Sequence, residues 1–236
     1  MERAEFAGPG SGSGGGARWA GGGLVAWTTG RVFFALGGSD YTCSGSTVGG
    51  ARSDVVVTAA HCVSDGAGRW ATDWTFVPGY DSGRAPYGSY PAVTFFASRR
   101  WVSGANEDDD VAFVRVTRPV ADVVGAEPIA FGSRGSGPAY VFGYPARPPY
   151  TGRRLDYCTG KVAPDPYGGA DGGMRCEMTE GDSGGPWLSR FDPATGSGVI
   201  TGVTSFKYAD ASHVLYSANL GSVAQAIYTR AESPSS

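Results

Sequence analysis

Charge is scarce in this chain. Only 17% of its 236 residues are Asp, Glu, Lys or Arg, and the formal net charge is −3. Binding to nucleic acid or to an anionic membrane needs a basic surplus, so neither partner is expected. Histidine is rarer still, with two copies, and the four cysteines include no C-x-x-C pair. A thiolate zinc site is therefore not expected, and neither is any other metal centre. No apolar run approaches the roughly 20 residues of a membrane-spanning helix. The opening Met1 to Phe6 also lacks the apolar stretch of a secretory leader.

What the chain does hold is glycine, 39 copies, with 15 prolines, 12% aromatic residues and 41% hydrophobic residues overall. That mixture predicts a turn-rich β protein, long enough for one core or two small ones. Gly8 to Gly16 reads as a flexible linker. Short apolar runs between turn signals then predict strands at 32–36, 55–57, 75–77, 93–96 and 111–116. A second series falls at 139–142, 155–158, 185–188, 198–206 and 214–216. The Pro- and Gly-bearing stretch 123–137 reads as a connector. Only Leu220 to Arg230 reads helical, with Leu220, Val223, Ala224 and Ile227 on one face.

Three segments carry chemistry. Gly181-Asp182-Ser183-Gly184-Gly185-Pro186 sets a serine in a tight turn where backbone N–H groups converge and nothing bulky covers the hydroxyl. Val57-Thr58-Ala59-Ala60-His61-Cys62 ends an apolar run on a histidine. Asp108-Asp109-Asp110 precedes the apolar Val111 to Val114. A serine hydroxyl needs a base to become a nucleophile, histidine is the usual base near neutral pH, and a carboxylate orients the imidazole. Asp108, Asp109 and Asp110 can each supply that carboxylate. Residues 106–109 read as a solvated acidic face, and His213, after a polar run, as a surface-loop residue.

With Cys43-Ser44-Gly45-Ser46 and Gly202 to Phe206, this ordered set resembles the chymotrypsin-fold, trypsin-like serine peptidases, over about residues 30–230. The similarity is greatest to their secreted bacterial branch, which includes glutamyl-endopeptidase-like enzymes. The resemblance implies an all-β protein of two antiparallel six-stranded barrels with a short C-terminal helix. The expected divisions are 1–23 as a flexible segment, 24–125 carrying His61 and Asp110, and 126–236 carrying Ser183. The family sets its buried aspartate immediately before an apolar strand, which implies Asp110 as the carboxylate, with Asp109 second. The resemblance further implies a secreted serine endopeptidase working through an acyl-enzyme, with the N–H groups of Gly181 and Ser183 as the oxyanion hole. It pairs Cys43 with Cys62, which leaves Cys158 with Cys176. A peptide or protein substrate, a monomer and no cofactor are expected.

The same resemblance assigns substrate binding to Glu177, Thr204, Ser205 and Lys207. Glu177 at the pocket base would suit Arg or Lys before the scissile bond, whereas Lys207 would neutralise it, obstruct the pocket or attract acids. In the family Asp182 pairs with a processed N-terminus, for which Leu24 or Val25 is the candidate here. Two rivals exist: a catalytically silent relative serving as a binding module, and an α/β-hydrolase esterase. The second orders its triad Ser, acid, His and alternates strands with helices, neither of which this chain does.

Overall fold

The computed structural model describes residues 15–132 and 137–234. The opening residues 1–6 and the glycine-rich run as far as residue 14 lie outside them. A short strand β1 (Ala17–Arg18) and a one-turn helix α1 (Leu24–Thr28) lead into β2 (Thr29–Leu36), β3 (Ser39–Thr47), β4 (Val55–Thr58), β5 (Thr72–Pro78) and β6 (Tyr90–Ala97). Helix α2 (Arg99–Val102), β7 (Ala112–Val116) and α3 (Ala121–Val124) follow. Strands β2 to β7 close into an antiparallel barrel in the order β2-β3-β4-β7-β6-β5.

The second half contains β8 (Gly137–Gly143), β9 (Asp156–Pro164), β10 (Gly172–Arg175), β11 (Pro186–Asp192), β12 (Ser197–Phe206), β13 (Val214–Asn219) and α4 (Ser222–Glu232). Its strands run β9-β10-β13-β12-β11-β8, and β8 pairs back onto β9, so a second six-stranded antiparallel barrel closes. No described helix is long and apolar enough to cross a membrane.

Side-chain alternation explains why the runs at 55–57 and 111–114 are continuously apolar. Successive residues of a strand face opposite sides. Val56, Ala112 and Val114 point into the first barrel with Phe76 and Trp74. Val55, Val57, Val111 and Phe113 point the other way, into a seam shared with Phe142, Leu188, Ile200 and Val203 of the second barrel. Both faces are buried, so both must be apolar, and each such valine contributes about 1.5–3 kcal/mol. A third cluster around Val141, Met174, Met178 and Trp187 fills the second barrel.

Several elements differ from expectation. The C-terminal helix is shifted two residues, because Leu220 stays buried beyond β13 and the helix begins only after Gly221. It packs across the first barrel, against β6 and β7, with Ala224, Ile227 and Ala231 buried. Helices α1 to α3, each a single turn, carry too short a period to read. Strands β3 and β10 were not among the apolar runs, since polar or small residues such as Ser44, Ser46 and Gly173 fill them. The segment expected to be flexible as far as residue 23 is paired with β9 at Ala17 and Arg18. Trp19 anchors it, edge-on to Phe142, Tyr157 and Phe191.

Candidate active site

The seam between the barrels collects the three chemical segments. His61 lies in a single 3-10 turn (Ala60–Cys62) directly after β4, and Asp110 sits immediately before β7, the neighbour of β4. Asp110 holds the histidine twice. Its Oδ1 accepts the backbone N–H of His61 at 2.8 Å, and its Oδ2 lies 2.7 Å from Nδ1. A carboxylate only accepts, so the proton belongs on Nδ1 and the lone pair of Nε2 is left free. The Asp110 side chain is 3% exposed and the imidazole 32%, so one edge of the ring remains open. Desolvation pushes the His61 pKa down. The charge and hydrogen bond of Asp110, with help from Asp182, outweigh it and leave the pKa above the usual 6.5.

Ser183 is reached through the backbone. Its carbonyl accepts the N–H of Ser44 at 2.7 Å and stands 3.8 Å from the sulfur of Cys62, next to His61. Cys62 is bridged to Cys43, and Cys158 to Cys176. Gly184 has φ +80°, and a Cβ there would collide with the Thr58 hydroxyl and the Ser44 carbonyl, so only glycine lets the turn approach this closely.

Two peptide planes of the turn are fixed by their carbonyls. Glu180 O accepts from Ala146 N at 2.7 Å, and Asp182 O accepts from Gly185 N at 2.8 Å. A trans peptide points its N–H opposite its C=O, so the N–H groups of Gly181 and Ser183 face away from these anchors. Neither meets an acceptor among the described residues. Ser44, whose part the sequence left unread, braces the turn. Its hydroxyl donates to Gly181 O and accepts from Tyr144 N, both at 2.8 Å. The only sequence signal was its place in the Cys43–Ser46 motif.

A cavity of about 390 Å³ opens beside Ser183, with Glu177, Met178, Thr204, Ser205 and Lys207 in its wall. All four residues assigned to substrate binding therefore line it, yet three of their side chains are already engaged. Ser205 donates its hydroxyl to Asp110 Oδ2 at 2.5 Å. Thr204 accepts the indole N–H of Trp187 at 3.1 Å. Lys207 spans the wall to donate to the carbonyls of Cys176 and Ser212, each at 2.8 Å. Glu177 is exposed and forms no ion pair with it. Desolvation lowers the Lys207 pKa, against the pull of Asp182, Glu177 and Glu180.

One further expectation is corrected. Asp109 is buried rather than solvated, because Ser98 and Arg100 hold its carboxylate away from His61. In the uncleaved chain Leu24 and Val25 donate their backbone N–H groups to the carbonyls of Thr195 and Gly196. Asp182 is buried with one oxygen unpartnered, and burial pushes its carboxyl up to about 7. His213 is exposed in a turn. The ligand atoms of Cys43, His61 and Cys62 fall within 4.8 Å of one another, but disulfide sulfurs are not thiolates, and these residues do not suit a metal ion.

The fold and this constellation define a serine endopeptidase of chymotrypsin type. The family model for trypsin matches residues 27–219, and the chain belongs to that family. Among solved structures, protease Anisep from Arthrobacter nicotinovorans is 38% identical with a TM-score of 0.82, over 87% of this chain and 95% of that one. The thermostable serine protease AL20 from an extremophilic microorganism is 32% identical with a TM-score of 0.83, over 89% and 98%. A protein of Bacillus subtilis named extracellular metalloprotease is 30% identical over 87 residues, 37% of this chain. That match spans only 27% of the Bacillus protein.

Proposed function

We propose that the chain is a secreted endopeptidase that hydrolyses peptide bonds through Ser183, His61 and Asp110. Ser183 Oγ attacks the scissile carbonyl as His61 Nε2 takes its proton. The negative charge on the tetrahedral oxygen falls between the N–H groups of Gly181 and Ser183, one such donor being worth about 2.7–4 kcal/mol. His61 then protonates the leaving amine, and the acyl group stays on Ser183. Water, deprotonated by His61, releases it by the same path in reverse. Asp110 holds the imidazole in its tautomer and stabilises the imidazolium without taking the proton.

The observation that carries this reading is the double hold of Asp110 on His61, on ring and backbone together. No cofactor enters the scheme. Two disulfides using all four cysteines support a place outside the reducing cytosol. The test is a fluorophosphonate probe with a quenched-peptide assay. The wild-type protein is labelled and active, whereas Ser183→Ala is unlabelled and loses about 10⁶ in kcat. Turnover by the purified Ser183→Ala protein near the wild-type rate would end the assignment.

A further inference from the structure

Four consecutive carbonyls run through the serine turn, and each is held by a hydrogen bond. Glu180 O and Asp182 O are held from within the second half of the chain, by the N–H groups of Ala146 and Gly185. Gly181 O and Ser183 O are held from the first barrel, and both by the same residue. The hydroxyl of Ser44 donates to Gly181 O at 2.8 Å, and its backbone N–H donates to Ser183 O at 2.7 Å.

This alternation bears on the two N–H groups that meet the tetrahedral oxygen in the proposed reaction. Each carbonyl shares a rigid plane with the N–H of the following residue. The planes of Glu180 O and Asp182 O therefore carry the N–H groups of Gly181 and Ser183. Between them lies the plane of Gly181 O, whose own N–H, on Asp182, reaches Thr179 O only at 3.3 Å. The Ser44 hydroxyl is the shorter of its two ties. Gly181 and Gly184 have φ of +105° and +80°, and no Cβ restrains either. Such a turn is not stiff by itself. If the middle plane swings, the donors on either side of it swing relative to one another, and an oxyanion needs both within about 2.7–3.1 Å.

Ser44 is itself held from three directions. It is fully buried, so water does not compete for its hydroxyl. The N–H of Tyr144 donates to its Oγ at 2.8 Å, which leaves the hydroxyl proton for Gly181 O. Its carbonyl accepts the hydroxyl of Thr58, also at 2.8 Å. Thr58 is fully buried at the end of β4, just before His61. On the other flank, Cys43 is bridged to Cys62, which follows His61 directly. The segment that places the base is thus tied through Ser44 to the turn that places the donors.

We propose that Ser44 is a positioning residue of the peptidase. Its hydroxyl sets the angle between the Gly181 and Ser183 donors, and Thr58 ties that setting to the strand that ends at His61. The proposal rests on the peptidase reading, and it puts a control of oxyanion stabilisation on the opposite barrel from the oxyanion hole.

The test separates transition-state effects from binding and from folding. Ser44→Ala should melt cooperatively and lower kcat about 10- to 100-fold, with KM within about twofold, since a displaced donor weakens the transition state and not the bound peptide. The probe is a peptidyl trifluoromethyl ketone built on a sequence that the wild-type protein cleaves. Ser183 Oγ adds to its carbonyl carbon, His61 takes the hydroxyl proton, and the carbonyl electron pair becomes an oxyanion. Its Ki should rise by the factor by which kcat/KM falls. Fluorine NMR should show the hemiketal oxygen ionising at higher pH in Ser44→Ala than in the wild type. The uncleaved peptide should bind Ser183→Ala equally well with and without Ser44→Ala. Should Ser44→Ala fail to fold, Thr58→Val removes the tie one step further back. It should lower kcat about fivefold, and Thr58→Ser, which restores the hydroxyl, should recover most of that loss. Wild-type kcat in Ser44→Ala, or in Thr58→Val where Ser44→Ala does not fold, overturns the proposal and leaves the peptidase standing. A loss carried by KM, or a ketone Ki that does not follow kcat/KM, overturns it in the same way. If the wild-type protein neither cleaves peptides nor takes a fluorophosphonate, the peptidase reading fails and this proposal with it.

Discussion

The hydroxyl of Ser205 lies 2.5 Å from Asp110 Oδ2, the same oxygen that faces His61 Nδ1 at 2.7 Å. A residue of the cavity wall thus helps fix the carboxylate that fixes the base. Ser205→Ala should lower kcat roughly tenfold, since a hydrogen bond to a charged group is worth about 1.5–3 kcal/mol. Steady-state kinetics check it. An unchanged kcat would mean that Asp110 needs no support from β12.

The pH profile follows from His61. Its pKa lies above 6.5, and the base must be neutral, so kcat/KM should rise with pH through a midpoint above 6.5 and then level off. Asp110→Asn removes the charge that raises it. The midpoint should then move down, and kcat should fall by about 10⁴, the size known for this change in the general Ser-His-Asp scheme. A profile highest near pH 4 would contradict the role of His61.

Glu127 gives a stability prediction away from the chemistry. It is fully buried, accepts from Ser197 and Gly198, and keeps one oxygen unpartnered. Burial raises its carboxyl from 4.5 to about 7, against the pull of those two bonds. Between those values the folded state holds a proton that the unfolded chain has released, so this group's contribution falls as pH rises across that window. Glu127→Gln should therefore be near neutral at pH 4 and stabilising by about 2 kcal/mol at pH 8, roughly 4–8 °C in Tm. Thermal melts at the two pH values decide, and equal shifts at both would refute it.

Lys207 is the one cation in the wall of the primary cavity, opposite Glu177, Glu180 and Asp182. Lys207→Met should leave those acids unopposed and shift preference before the cleaved bond toward Arg and Lys, by about tenfold relative to Glu. A peptide library compares the two proteins. No change in the ratio would mean that the ammonium serves only to tie Cys176 to Ser212.

Reduction should release constraints on two loops, each worth roughly 3 kcal/mol in the chain-entropy model. Peptide mapping without reductant should recover Cys43–Cys62 and Cys158–Cys176, and Tm should fall once both are reduced. Free thiols in the native protein would argue against this pairing.

The barrel strands were legible because Val55 to Val57 and Val111 to Val114 are apolar on both faces, a pattern that local sequence displays. The segments around His61, Asp110 and Ser183 were legible because each packs its constraint into a few neighbouring residues: small alanines, an adjoining apolar strand, glycines where no Cβ fits. What escaped were relations between distant segments. Nothing around Ser205 tells that its hydroxyl goes to Asp110 instead of a substrate. Nothing around Lys207 tells that it ends on the carbonyls of Cys176 and Ser212. The place of Asp110 next to the apolar strand was legible, but nothing local tells that Ser98 and Arg100 engage the carboxylate of Asp109 beside it.

The C-terminal helix has a consequence for biogenesis. Arg115 on β7 donates to the carbonyls of Ala231 and Ser233, and Tyr228 on α4 donates to Gly49 O. The strand that begins beside Asp110 is therefore buttressed by residues that follow the whole second barrel in the chain. A nascent chain has every strand of its first barrel long before the helix that covers β6 and β7 exists. The barrel that holds His61 should stay incomplete until α4 has emerged, which ties the onset of hydrolytic capacity to synthesis of the second barrel that precedes this helix.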